Sequence, residues 1–329
     1  MLRRMYYTPL KPIELSIISI NYNGFADTCE MIESIRKRIK SVVYEIIIVD
    51  NASKENEAFQ LRKKYPFIQV MRSRENLGFA AGNNLAIKIA KGKYLFFLNN
   101  DTYLKGDHFR EMIDFLKSSP NIGGLSPLIR YAEKKRPVQF AGFTPLTEYT
   151  LRNRSIGIGE TFTEKFLIPA ETPYMPGAAM LVKRSAIEKV GEMPEQFFLY
   201  YEELDWSTRF TENGYKLYYY PYVTIFHKES RTTGKTSPLR TFFMTRNRLV
   251  YAYRNRKGKS RLYALLYLLF AVCPRDLIRE YRKKNYDNAR AIDHGISSFF
   301  NYLGTFFMPV DKKTLNTFNY DDKFDYYVR

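Results

Sequence analysis

Histidine and cysteine are nearly missing from this chain. Among 329 residues there are three histidines and two cysteines. Cys29 and Cys273 stand far apart, and neither belongs to a Cys-x-x-Cys or other metal-spaced pattern. That argues against a zinc site and fits a reducing compartment. No run approaches the ~20 apolar residues of a membrane span. The N-terminus is basic at Arg3 and Arg4 but lacks the apolar stretch and cleavage site of a signal peptide. Glycine-rich phosphate loops are absent too. No Gly-x-Gly-x-x-Gly follows the first predicted strand, and Gly-x-x-x-x-Gly-Lys-Ser/Thr occurs nowhere. Rossmann-type dinucleotide binding and P-loop chemistry are therefore disfavoured. Acids are the minority: 34 against 52 lysines and arginines, a formal charge of +18. The excess concentrates between Arg240 and Arg290, where 14 basic residues meet only Asp276, Glu280 and Asp287. Such a stretch suits an anionic surface, membrane or nucleic acid.

What is present is an alternation of buried strands and helices. Continuous apolar runs bounded by polar turns occur at 15–20, 44–49, 67–71 and 94–98, with helical segments at 27–39, 55–64, 78–90 and 107–117. Runs without a two-residue period fit strands covered on both faces, and the alternation predicts a doubly wound, mostly parallel sheet. Further strands are expected at 123–130, 176–182, 215–220 and 223–226, with loops and strands over a substrate between 136 and 173. The length accommodates a catalytic domain over 1–230 and a basic, mainly helical extension over 231–329.

Ligands of open α/β sheets bind beyond the carboxyl ends of the strands, and the polar residues gather there. The strand at 94–98 runs into Asn99-Asn100-Asp101, which makes Asp101 a candidate for handling metal or phosphate, or alternatively a simple turn residue. The strand at 44–49 ends in Asp50-Asn51. The first strand ends in Asn21-Tyr22. A carboxylate at Asp50 beside the Tyr22 ring suits a nucleobase, the reading favoured for Asp50 over a helix cap. Residues 197–209 carry an aromatic block that leads directly into Glu202, Glu203 and Asp205. An acid among rings can have a raised pKa and serve as a general base. The alternative is a helix N-terminus favoured by the dipole, with Asp205 and Arg209 as an i, i+4 pair. His227 ends a strand near the same edge, and with a carboxylate and phosphate oxygens it suits Mn²⁺ or Mg²⁺.

Taken together, Ser19–Gly24, Val49–Ser53, Asn76–Asn84, Leu98–Thr102, Pro176–Met180, Tyr200–Asp205 and His227 resemble family 2 glycosyltransferases of the GT-A fold, in particular the bacterial rhamnosyltransferase-like branch. The resemblance covers about residues 13–230 and continues weakly through Arg246-Asn247 and 289–304. It implies an inverting transfer from a nucleotide sugar, with Asp50 on the base. Asn76, Gly78, Gly82 and Asn83 would line the nucleotide and sugar site, together with Asn21, Tyr22, Asn51 and Asn100. It implies a divalent metal on Asp101, the surviving acid of an Asp-x-Asp motif whose first position is Asn99 here, completed by His227. Glu203 would be the base, with Glu202 and Asp205 beside it. The donor nucleotide would be dTDP, UDP or GDP, with rhamnose as the branch's sugar. The acceptor would be a glycan or lipid-linked glycan of a cell-surface polysaccharide.

The apolar run 262–273, flanked by basic clusters, is too short to span a bilayer. It fits a helix lying on an anionic membrane or a core helix with a solvated basic face. The expected location is cytoplasmic, peripheral on the inner membrane. The competing reading is a non-catalytic GT-A domain that binds membrane or nucleic acid through the basic extension. No RNA-binding signature accompanies that stretch.

Overall fold

The computed structural model describes residues 12–229 and 237–307. Arg3 and Arg4, the boundary expected near 230 and the tail beyond 307 lie outside the described residues. One ten-stranded sheet forms the centre, with β1 (Leu15–Asn21), β2 (Tyr44–Asp50), β3 (Gln69–Arg72), β4 (Tyr94–Leu98), β5 (Thr102–Leu104), β6 (Ile122–Tyr131), β7 (Val138–Phe140), β8 (Ala170–Glu171), β9 (Ala179–Lys183) and β10 (Lys216–His227). The order is β3-β2-β1-β4-β9-β6-β10-β5. Strands β1 to β4 are parallel, as their uninterrupted apolar runs require. The sheet then turns mixed. β9 lies antiparallel between β4 and β6, and β5 closes the edge antiparallel to β10. β10 shifts register between Tyr220 and Thr224. Pro221 sits within that irregularity, where a residue without an N–H is tolerated.

The helices of this half are α1 (Phe25–Arg38), α2 (Glu57–Lys64), α3 (Gly78–Ile89), α4 (Phe109–Lys117), α5 (Arg184–Val190) and α6 (Glu202–Glu212). They cover both faces. Met31, Ile32, Ile35, Phe109, Met112, Ile113 and Leu116 pack on one face; Ala80, Ala86, Ile87, Trp206 and Phe210 pack on the other. Chain order reverses between β1 and β4, which opens the crevice where such sheets bind ligands.

The extension comprises α7 (Pro238–Asn255), α8 (Gly258–Tyr267), α9 (Cys273–Arg282) and α10 (Tyr286–Phe307), with one π-turn (Leu268–Val272) joining α8 to α9. It has its own apolar cluster, in which Leu249, Tyr251, Ala264, Leu268, Val272 and Phe299 meet Leu151, Phe197 and Tyr201 of the first half. The apolar run at 262–273 thus divides by face. Ala264, Leu268 and Val272 point into this cluster, while Leu262, Tyr263, Leu266 and Phe270 are exposed, Phe270 to 75%. Among the described residues no helix is long and apolar enough to cross a membrane.

Candidate active site

The carboxyl edge of the sheet is built from asparagines. Asn21 is fully buried at the end of β1. Its Nδ2 donates to Glu57 Oε2 at 2.7 Å, Ser53 Oγ at 3.2 Å and Asp50 Oδ1 at 3.3 Å. Its Oδ1 accepts from Thr28 Oγ1 at 2.6 Å, and Thr28 Oγ1 accepts in turn from Asn100 Nδ2 at 3.0 Å. Gly24 completes this corner, since a Cβ there would lie 2.5 Å from Asn100 Nδ2. Asp50 is equally buried. It accepts from the backbone N–H groups of Ser53 and Ala58, each at 3.2 Å, and lies 3.6 Å from Arg72 Nε. Asp50 thus organises the 51–58 turn in this structure, while the N-cap of α2 is Asn56, whose Oδ1 accepts from the Phe59 N–H.

Asn51 locks the next loop. Its Nδ2 donates to Asn76 Oδ1 at 2.8 Å and to the Gly78 carbonyl at 3.0 Å, while its Oδ1 accepts from the Leu77 N–H at 2.9 Å. Gly78 has φ +73°, and a Cβ there would fall 2.3 Å from the Phe198 carbonyl. The nucleotide-site candidates therefore divide. Asn21, Asn51 and Asn83 are buried, Asn83 donating to the Phe79 carbonyl, and Gly82 packs on Ile20. Tyr22, Asn76 and Asn100 remain half-exposed at the edge.

Asp101 follows β4 and meets His227, the last residue of β10, with Oδ1 to Nε2 at 3.1 Å. His227 Nδ1 lies 2.9 Å from Gln139 Oε1. An Nδ1–H donated to Gln139 turns the Nε2 lone pair toward a carboxylate oxygen. Two acceptors at that separation need a proton or a cation between them. One carboxylate and one imidazole, oriented by a second hydrogen bond, fit a divalent cation whose other ligands are phosphate oxygens and water. Among the described residues no group of three or more His, Cys, Asp or Glu could hold a metal. Such a cation would therefore rely on these two residues and the donor's phosphates.

The second acidic group starts α6. The loop before it contacts the start of α3: the Phe79 N–H donates to the Phe198 carbonyl at 2.7 Å. Glu202 is buried and Glu203 half-buried, and the Oε2 atom of each lacks a hydrogen-bond partner among the described residues. Burial pushes the Glu203 carboxyl up to about 7, against backbone N–H donors that lower it. Burial, then the neighbouring Glu203 charge, pushes Glu202 well above the usual carboxylate range. Both carboxyls are thus held above the usual range, and Glu203 is the less buried of the two. Asp205 belongs elsewhere. It is 1% exposed, with Oδ2 accepting from Arg254 Nε and Asn255 Nδ2, each at 2.9 Å, and Oδ1 lying 3.4 Å from Arg209 Nε. Asp205 thus joins α6 to α7 through Oδ2, while its buried Oδ1 has no hydrogen-bond partner among the described residues.

The sequence profile described as glycosyl transferase family 2 matches residues 16–191, more than half of the chain, from the second residue of β1 to beyond β9. The chain belongs to this family. Among its relatives, a low-salt glycan biosynthesis hexosyltransferase of Haloferax volcanii is 30% identical over 202 residues, 60% of this chain and 61% of its own. An uncharacterized glycosyltransferase of Haemophilus influenzae is 29% identical over 177 residues, 54% of this chain and 55% of its own. The match thus spans little more than half the length of these relatives. An N-acetylglucosaminyl-diphospho-decaprenol L-rhamnosyltransferase of Mycobacterium tuberculosis is 23% identical over 218 residues, 58% of this chain and 68% of its own. The fold is GT-A. The chain superposes on GalNAc-T7, solved with UDP, GalNAc and Mn²⁺, with TM-score 0.57 at 15% identity, covering 82% of this chain and 58% of that one. It matches the mannosyltransferase of Pyrobaculum calidifontis in complex with GDP-Man and Mn²⁺ with TM-score 0.52 at 15% identity, covering 88% and 77%.

Two residues that matter to this edge carried no local signal. Gln139 lies in the loop-rich stretch expected to cover substrate, and Arg254 lies some 50 positions from the acid it holds. Asn247 falls where the family resemblance continues weakly, but nothing around it names the loop carbonyls it bonds, so only the fold reveals those partners.

Proposed function

We propose that this protein transfers a sugar, with inversion, from a nucleoside diphosphate to a hydroxyl of a glycan or lipid-linked glycan. The observation that carries the reading is the contrast between the two acidic groups. Asp101 is paired with His227, whereas Glu203 has no cationic partner among the described residues and burial pushes its carboxyl up to about 7. The first is suited to the diphosphate and its cation; the second is suited to take a proton. When bound, a divalent metal would neutralise charge on the leaving diphosphate. Glu203 removes the acceptor hydroxyl proton as the new oxygen–carbon bond forms at the anomeric carbon. The carbon–oxygen bond to the diphosphate breaks on the opposite face, and the electron pair leaves with the nucleoside diphosphate. A single displacement needs one base and no second nucleophile, and Glu202, more deeply buried than Glu203, is the less accessible of the two.

Rhamnose, carried by dTDP, is the proposed sugar, supported by the rhamnosyltransferase names among the relatives; UDP- and GDP-sugars are the alternatives. The test is a donor panel with Mn²⁺ or Mg²⁺, following release of nucleoside diphosphate with and without Glu203→Gln. Slow hydrolysis of one donor, lost in the variant and on chelation, is the expected result. No release and no nucleotide binding by calorimetry would overturn the reading.

The lipid-linked acceptor favours a site at a membrane surface, cytoplasmic and peripheral. The face of α8 and α9 that carries Leu262, Tyr263, Leu266, Phe270 and Ile278 supports this reading. Lys259, Arg282, Lys283 and Lys284 border it and form no ion pair among the described residues. Apolar anchors between basic flanks complement an anionic bilayer. Flotation with phosphatidylglycerol vesicles, weakened by salt and by Phe270→Ser with Leu266→Ser, is expected. Binding to RNA but not to vesicles would refute it.

A further inference from the structure

We infer that Asn247 is a positioning residue for the base, acting through the backbone of the loop that precedes α6. This rests on the transferase reading above and on Glu203 as base. The loop is strained: Phe198, Tyr200 and Tyr201 have φ of 63°, 69° and 74°, a region that bulky residues avoid. Three such residues within four positions persist only where the surroundings force them. Here the forcing groups are identifiable, because every carbonyl from Gln196 to Tyr200 is held from outside the loop. Asn247 is fully buried. Its single Nδ2 donates to Phe197 and Leu199 at 2.8 Å and to Tyr200 at 2.9 Å. Its Oδ1 accepts from Arg246 Nη1 at 2.6 Å, and the same nitrogen donates to Gln196 at 2.9 Å. Phe198 is taken by the Phe79 N–H beside Gly78.

A packing role alone does not call for this arrangement. A glycine at 198 or 201 would adopt the same backbone without strain. The clasp instead fixes Tyr201 as the left-handed residue from which α6 starts, and that start sets where Glu202 and Glu203 point. Arg246 is 3% exposed, and no carboxylate bonds to it among the described residues; it serves to hold Asn247 and the Gln196 carbonyl.

Asn247→Asp tests this directly. It keeps the side-chain shape and an acceptor for Arg246 but removes both N–H donors; Asn247→Ala is the harsher companion. The readouts are amide hydrogen exchange across the protein and the pH dependence of donor turnover. Exchange at 197–203 should quicken while β1 and β4 stay protected. kcat should fall by about 100-fold with donor KM little changed, as expected for a misplaced catalytic group. In Asn247→Ala the acid limb of the pH profile should move below its wild-type position, because a loosened loop lets water reach Glu203; the carboxylate that Asn247→Asp adds opposes that shift, so the pH profile is read on the alanine variant. Unchanged exchange at 197–203 in both variants, or a loss of turnover with an unmoved pH profile in Asn247→Ala, would overturn the inference. Faster exchange throughout β1 and β4 in both variants would make Asn247 a core residue only. If the wild type turns over no donor, the transferase reading fails while the exchange measurement still tests the clasp.

Discussion

Replacing Glu203 by glutamine should abolish turnover and at the same time stabilise the protein at alkaline pH. The magnitude follows from the carboxyl's surroundings. Burial lifts it from 4.5 to about 7. A carboxyl that ionises near 7 when folded and near 4.5 when unfolded favours the folded state below pH 4.5. It loses that contribution as pH rises through 7. Above pH 8 the ionised folded state is then worse off by about 3 kcal/mol, at ~1.4 kcal/mol per pH unit. Glutamine has no charge to desolvate, so the variant avoids this cost. Urea unfolding at pH 5 and pH 8 measures it. The variant should gain about 2–3 kcal/mol over the wild type at pH 8 and much less at pH 5. Glu202 reinforces the test, since the neighbouring charge is part of what raises it. A surface glutamate would show neither effect, and a glutamate held by an ion pair would show the opposite pH trend. Equal stability of variant and wild type at both pH values would refute the claim that Glu203 is desolvated and unpaired. Full activity of the variant would refute its role as base.

Two further outcomes follow from the same geometry. Gln139→Ala removes the partner of His227 Nδ1, and metal activation of turnover should weaken roughly 10–100-fold, read from Mn²⁺ titration, with maximal rate restored at high metal. Arg254→Met leaves Asp205 buried with Arg209 and Asn255 alone; it should cost about 2–4 kcal/mol by urea unfolding, and Asp205→Asn in the same chain should recover part of that.

The parallel half of the fold was legible because both faces of its strands are covered, which leaves uninterrupted apolar runs such as Tyr44–Val49 and Tyr94–Leu98. Strand direction was not. Nothing in Ala179–Lys183 says that it runs antiparallel between β4 and β6, because direction is decided by connections rather than by composition. β5 was missed because three residues after an Asn-Asn-Asp turn carry no periodicity. At the site, residues that stand at strand ends were readable: Asp50, Asp101 and His227 all fall at the carboxyl edge. The roles of the three acids of α6 were not, since the sequence shows them as equals. Arg254 and Asn255 single out Asp205 from about 50 residues away, and only the packing of α7 brings them there.

That separation explains why the edge is framed in asparagine. Asn21, Asn51, Asn84 and Asn247 each use a donor and an acceptor at once, and each holds parts of the chain far apart in sequence. A lysine or arginine could supply the donors but would bring a charge to the acids, and an ion pair would draw Glu203 back into the ordinary carboxylate range. Neutral amides fix the backbone and leave burial to set the titration. Asp205, which meets both Arg209 and Arg254, holds α6 to α7, while Asp50 meets Arg72 beneath the 51–58 turn. Placing a lysine at Asn84, which bonds to the Met193 backbone on the segment leading to the 196–201 loop, should therefore do more than disturb packing. It should lower the pH at which turnover begins, and an unmoved acid limb in a folded Asn84→Lys variant would show that charge at this frame does not reach the base.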